Sequence, residues 1–175
     1  SDRLEMIAHY NERGICFSDD GVTLASAFGP KLFGMGVSQF EGIAQLLIED
    51  PSTRRAVIDL FDQSALMRGS KDVSCALSIQ FLIRNSRVDC IVYMRSQSAL
   101  MVLPYDLFLF TMIHECMAAR LDVPLGQYSH FCSSIHYYED EEAAVTEALR
   151  EEIPTAIESM PKMTDFSEEI RAQII

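Results

Sequence analysis

Residues 76–96 read ALSIQFLIRNSRVDCIVYMRS. Two runs rich in branched and aromatic residues, 76–84 and 87–96, flank a short polar connection, the pattern of two strands. Alternation puts Ile79, Phe81 and Ile83 on one side of the first strand, and Gln80 and Arg84 on the other. The tight connection NSR at 85–87 joins the two as a hairpin.

Working outward, RRAVIDLF at 54–61 reads as a further strand, and so does QYSHFCSSIHYY at 127–138. SQFEGIAQLLIEDP at 38–51 reads as a helix: Ser38 and Glu41 form a capping box, Phe40, Ile43, Ala44 and Leu47 share a face, and Pro51 ends it. PYDLFLFTMIHECMAARL at 104–121 is a long, mostly buried helix with Leu107, Phe110, Thr111, His114, Met117 and Leu121 at helical spacing and Pro104 in its first turn. Residues 17–36, rich in glycine and turn formers, read as loop with short extended pieces. EDEEAAVTEALREE at 139–152 reads as an acidic amphipathic helix with a solvated face. The two prolines of the tail suggest an extended crossing and then a short helix. The order of elements is an α/β pattern with much antiparallel strand, α+β in flavour.

The 175 residues suffice for one domain with one substantial core, and at 49% hydrophobic content the chain is globular. Its apolar runs are broken by proline and charge well short of the ~20 residues of a membrane span. The N-terminus lacks the basic-then-apolar order of a secretory signal. A net charge of −12 argues against general nucleic-acid binding, though not against a small anion held by local arginines. The five cysteines, Cys16, Cys75, Cys90, Cys116 and Cys132, are odd in number and show no CxxC spacing. That argues against a zinc site or a disulfide framework and for a reduced, cytoplasmic protein. His9 and His130 have no ligand-like partners by spacing, so no metal is expected.

Cys75 stands where a loop becomes a strand. By position alone it is either core filling or a nucleophile, and reactivity would need nearby positive charge. Arg54, Arg55 and Arg95 stand at strand ends, and arginine forks suit phosphate. A thiol with an arginine cluster points to a phosphorylated electrophile.

STRRAV, CALSIQF, VYMRSQSALMVLPYDLF and SIHYYED, with SDDGVTLASAFGP upstream, follow one another at the spacing of the thymidylate synthase superfamily, which the chain resembles over about residues 17–140. The resemblance implies a mixed sheet packed on helices, with one sheet face at a two-fold dimer interface. It also implies a pyrimidine nucleoside monophosphate site and methylenetetrahydrofolate as the carbon source. Cys75 matches the family nucleophile, whose thiolate adds to carbon 6 of the pyrimidine and activates carbon 5. Arg95 and Ser96 match phosphate ligands of the same subunit. Arg54 and Arg55 match a pair donated across the homodimer. Gln80 matches a residue lining the site, and His136 and Tyr138 match the pair that holds the sugar hydroxyl.

Asp106 departs from the asparagine of thymidylate synthases and is similar to the cytidylate hydroxymethylase branch. As a helix N-terminal acid it would also suit the macrodipole. A carboxylate accepts from the cytosine amino group and, with a shared proton, satisfies the ring nitrogen; it does not donate to the carbonyl of uracil. Ala76 points the same way, since thymidylate synthases usually carry histidine after the nucleophile. Ser98 stands where the family has an aspartate that holds the pterin, and Val102 where it has a glycine that gives the folate room. The chain is expected to begin after the family's N-terminal section. These readings lead to an enzyme of the cytidylate (dCMP or CMP) 5-hydroxymethylase kind. The alternatives are a divergent thymidylate synthase acting on dUMP and a non-catalytic nucleotide-binding or dimer-partner relative.

Overall fold

The computed structural model describes residues 12–34 and 38–151. His9 and the prolines of the tail lie outside them. The hairpin forms as its sequence requires: β2 (Ala76–Arg84) and β3 (Arg87–Met94) pair antiparallel, and Asn85 and Ser86 turn with φ of 51° and 57°. Two consecutive positive φ values make the two-residue turn whose twist matches the strands. β1 (Val57–Asp59) pairs antiparallel with β2, and β5 (Leu125–Cys132) pairs parallel with β3, giving the sheet order β1-β2-β3-β5. A second, two-stranded sheet pairs β4 (Gln97–Ser98) parallel with β6 (Ile135–His136).

Ile58, Ile79, Phe81, Cys90 and Val92 fill the inner face of the sheet, all fully buried. α4 (Leu103–Leu121) packs on that face, with α2 (Gln39–Glu49) beside it. In α2 the Ser38 hydroxyl accepts from the Glu41 N–H, and Phe40, Ala44 and Leu47 are buried, as the spacing predicts.

Several expectations are corrected. The first strand is limited to three residues, because the N–H groups of Leu60 and Phe61 both turn to the Leu77 carbonyl and leave the ladder. The run at 127–138 is two strands: Ser133 N–H bonds the Met94 carbonyl while Gln97 N–H bonds the Ser134 carbonyl, so the chain changes partner between them. Residues 17–36 carry a short helix, α1 (Phe28–Phe33), fixed by buried Leu32 and by the Phe28 ring 5.3 Å from that of Phe110. Pro30 is tolerated in its first turn, where no N–H partner is needed. A short α3 (Gln63–Met67) was also not legible; Asp62 caps it by accepting from the Ser64 N–H. The acidic helix begins as a 3-10 turn at Glu139–Glu141 and continues as α5 (Glu142–Ala148).

α4 is rotated relative to the stripe read from sequence. Its buried residues include Asp106, Phe110, Ile113, His114 and Met117, whereas Leu107 and Thr111 face outward and Tyr105 and Phe108 are each 60% exposed. His114 is buried because its Nε2–H donates to the Val88 carbonyl at 2.6 Å. A carboxylate thus occupies a core-facing helical position, where burial is costly unless something answers it.

Gly126 marks the closest approach of β5 to β3. A Cβ there would stand 2.8 Å from the Val88 carbonyl oxygen and would also meet Asp89 Oδ1. Gly126→Ala is therefore expected to lower the free energy of unfolding by about 1–3 kcal/mol in urea titration, through displacement of the β3–β5 ladder.

Candidate active site

Cys75 sits immediately before β2, beside an irregularity in the β2–β3 register between Ala76 and Ser78. Such bulges re-aim the side chains next to them. The Cys75 side chain is exposed, whereas Cys90 and Cys116 are buried. Burial pushes Cys90 up to about 12 and Cys116 up to about 11, so neither is a thiolate near neutrality. Packing does not account for Cys75.

Arg95, at the end of β3, is tied to the loop that carries this thiol. Its backbone N–H donates to the Cys75 carbonyl at 2.8 Å, its Nε–H to the Ser74 carbonyl at 2.9 Å, and its Nη2–H to the Val73 carbonyl at 2.8 Å. Partial desolvation raises the Cys75 thiol, the Arg95 guanidinium pulls it down, and the carboxylates of Asp106 and Asp72 push it up. Among the described residues the remaining guanidinium N–H groups have no partner and can take an anion. The loop is latched from the other side as well: Ser26 N–H donates to Asp72 at 2.7 Å, and Lys71 N–H donates to Asp19 at 3.0 Å.

Asp106 is 7% exposed. Its Oδ2 accepts from Gln97 Nε2 at 2.8 Å; Oδ1 has no hydrogen bond among the described residues and keeps access to solvent. Burial raises Asp106 and the Gln97 hydrogen bond opposes the rise. Beyond Gln97 the contacts continue: His130 Nε2 lies 3.2 Å from Gln97 Oε1, and Tyr128 Oη lies 2.9 Å from His130 Nδ1. Gln97, Tyr128 and His130 were not found from sequence. The available signal was alternation along β5, which puts Tyr128, His130 and Cys132 on the face that meets β3 residues Cys90, Val92 and Met94.

Cys75, Arg95 and Asp106 are thus brought together. β6 adds His136, paired with Ser98 of β4, and the His136 carbonyl accepts from the Ala99 N–H at 2.8 Å. The His136 and Tyr138 rings meet edge to face at 5.3 Å. Ser96 is half-buried directly after Arg95. Arg54 and Arg55 are exposed before β1 and make no ion pair among the described residues. Gln80 donates to the Arg54 carbonyl at 3.0 Å and belongs to the outer face of the sheet. Ser98 is 5% exposed, and its hydroxyl accepts from the Met101 N–H at 3.3 Å; Val102 is the N-cap of α4.

The family model described as thymidylate synthase matches residues 10–170. The chain belongs to the thymidylate synthase family. It is 31% identical over 178 aligned positions to the deoxyuridylate hydroxymethyltransferase of Bacillus phage SP01, covering 91% of this chain and 46% of the relative. To the enzyme of the same name from Delftia phage PhiW-14 it is 26% identical over 187 positions, covering 93% and 51%. To the bifunctional dihydrofolate reductase-thymidylate synthase of Paramecium tetraurelia it is 25% identical over 118 positions, covering 67% and 24%. The chain spans about half the length of the two phage relatives it matches. This thymidylate synthase family member has the mixed sheet and covering helices that its sequence implied. Among the described residues no helix is long and apolar enough to cross a membrane, and no cluster of three metal-ligating side chains occurs.

Because desolvation raises the Cys75 thiol and Arg95 lowers it, alkylation of Cys75 by iodoacetamide is expected to climb steeply above neutral pH. In Arg95→Ala the climb shifts to higher pH, since the thiolate loses its cation. Peptide mass spectrometry across a pH series reads both, and an unchanged profile in Arg95→Ala would remove the electrostatic role assigned to that guanidinium.

Proposed function

We propose that this protein transfers a one-carbon unit to carbon 5 of a pyrimidine nucleoside monophosphate, cytidylate by preference, and leaves a hydroxymethyl group. The observation that carries the reading is the exposed Cys75 thiol bound at its loop by Arg95, with the buried Asp106 carboxylate close enough to act on the same thiol.

Arg95 and Ser96 hold the phosphate, and His136 and Tyr138 hold the sugar hydroxyl. The Cys75 thiolate adds to carbon 6, forming a C–S bond and pushing electron density to carbon 5. That density forms the bond to the one-carbon unit, which members of this family draw from methylenetetrahydrofolate. The carbon 5 proton is then lost and the bond from the one-carbon unit to its carrier nitrogen breaks, the electron pair leaving on that nitrogen, which gives an exocyclic methylene group; water adds to this group, and the C–S bond breaks to return the thiolate. The covalent adduct divides one difficult substitution into easier steps. Asp106 reads the base by accepting from the cytosine amino group, with a proton shared toward the ring nitrogen. Ser98 and Val102 do not reproduce the folate contacts implied by the resemblance: the serine hydroxyl is engaged with its own turn and offers no carboxylate. No role in binding folate is assigned to them.

The active form is a homodimer in which the outer sheet faces pack together and Arg54 and Arg55 reach the partner's phosphate, with Gln80 lining the site. Support comes from the exposed apolar side chains on that face: Val57, Tyr93 and Phe131, the last two stacked at 5.6 Å. A reducing, cytoplasmic setting suits the odd number of cysteines and their lack of CxxC spacing.

A second reading takes deoxyuridylate as the substrate. The names of both phage relatives, deoxyuridylate hydroxymethyltransferases, favour it. Tritium release decides between the two: nucleotides labelled at carbon 5 are offered with methylenetetrahydrofolate, and label in water is counted. The expected result is release from deoxycytidylate or cytidylate, abolished in Cys75→Ala and shifted toward deoxyuridylate in Asp106→Asn. Release from deoxyuridylate alone supports the second reading, and no release with any nucleotide overturns both.

A further inference from the structure

Asp106 is the end of a directional series of hydrogen bonds, and the direction has a chemical consequence. The Gln97 amide gives its N–H to Asp106 Oδ2 and faces His130 Nε2 with Oε1, so Nε2 is the donor there and His130 Nδ1, 2.9 Å from Tyr128 Oη, accepts from the phenol, which burial keeps protonated. Burial also lowers His130, which is neutral at pH 7 and carries its single proton on Nε2. That N–H donates to Gln97 Oε1, and Gln97, only 2% exposed, is thereby held with its amide N–H on Asp106 Oδ2. Reversing the amide would face its oxygen with a carboxylate and its N–H group with the His130 N–H. Both contacts would be repulsive, so the orientation is locked.

A carboxyl group that shares one proton with a base is complementary to cytosine when the protonated oxygen faces the ring nitrogen. It is complementary to uracil when the protonated oxygen faces the carbonyl. For a carboxyl group in a fixed orientation, discrimination between the two bases therefore depends on which oxygen carries the proton. A donor on Oδ2 makes that oxygen an acceptor and leaves the proton to Oδ1.

We propose that Gln97, oriented by His130 and Tyr128, is a specificity-determining positioning residue that fixes the proton of Asp106 on Oδ1 and so makes the site read one pyrimidine base. This rests on Asp106 being the base reader. Under the cytidylate reading, Oδ2 faces the amino group and Oδ1 faces the ring nitrogen. Without the Gln97 N–H the proton is free to occupy either oxygen, and the site accepts both bases.

The test measures, by calorimetry on the intact protein, affinities for deoxycytidylate, deoxyuridylate and deoxyribose 5-phosphate. The proteins compared are the wild type, Gln97→Met, His130→Phe and Asp106→Asn. The preference between the two nucleotides is expected to fall roughly ten-fold in Gln97→Met. It moves the same way in His130→Phe, with affinity for deoxyribose 5-phosphate unchanged in both. If Gln97→Met does not fold, His130→Phe carries the test. A merely structural role would weaken all three ligands together and leave the preference intact, and that result overturns the proposal. A wild type that prefers deoxyuridylate overturns the cytidylate reading, while a preference that still collapses in Gln97→Met upholds the relay. A preference unaffected by Asp106→Asn, or no binding of either nucleotide, overturns both. Independently, a long-range 15N–1H spectrum should find His130 as the Nε2–H tautomer; the Nδ1–H tautomer would reverse the series and contradict the proposal.

Discussion

The hydrogen bonds from Arg95 to residues 73–75 are the constraint on which the site depends. Three donors from one residue hold the backbone of the loop in front of β2, so the thiol of Cys75 is presented by a fixed scaffold rather than by a free turn. The same residue supplies the positive charge that opposes desolvation of the thiol. Fixing the loop and opposing the rise of the thiol are usually separate tasks; here one guanidinium does both and, among the described residues, retains N–H groups for an anion. The hairpin makes this possible. Its register sets Ala76 opposite Met94, which brings the residues just outside the ladder, Cys75 and Arg95, side by side.

The second constraint is the carboxylate on the buried face of α4. Asp106 precedes Phe110, Ile113, His114 and Met117 on the stripe that meets the sheet, where an apolar residue would pack without cost. A helix dipole rewards an acid in its first turn at the surface as well, so the dipole alone does not explain an inward placement. What answers the burial is Gln97, delivered by the short strand β4 and held by His130 from β5. The small two-stranded sheet therefore has a purpose beyond connection: it turns the chain after β3 so that Gln97 and His136 come to the mouth of the larger sheet.

Much of this fold was legible because its central part is local. Alternation in β2 and β3 and a two-residue turn specify the hairpin, and a capped amphipathic run specifies α2. The short helices were not legible. α1 and α3 have too few residues for periodicity to speak, and they exist through tertiary contacts such as the Phe28–Phe110 ring pair and the burial of Leu32. The split between β5 and β6 was hidden for a related reason: strand propensity continues across Ser133 and Ser134, and only the change of hydrogen-bond partner ends the strand. In the site, Cys75, Arg95 and Asp106 stand in motifs and were accessible to reading. Gln97, His130 and Tyr128 form a connected set only after β4 and β5 are folded against α4, so no spacing along the chain announces them.

The claim that binds these observations is that one pyrimidine nucleotide lies between Arg95, Cys75 and Asp106. A crystal structure of the intact protein with deoxycytidylate tests it most directly. The phosphate is predicted to rest on the Arg95 guanidinium, carbon 6 to face the Cys75 sulfur, and the amino edge of the base to meet Asp106. A nucleotide bound with its phosphate away from Arg95, or with its base turned away from both Cys75 and Asp106, would contradict it.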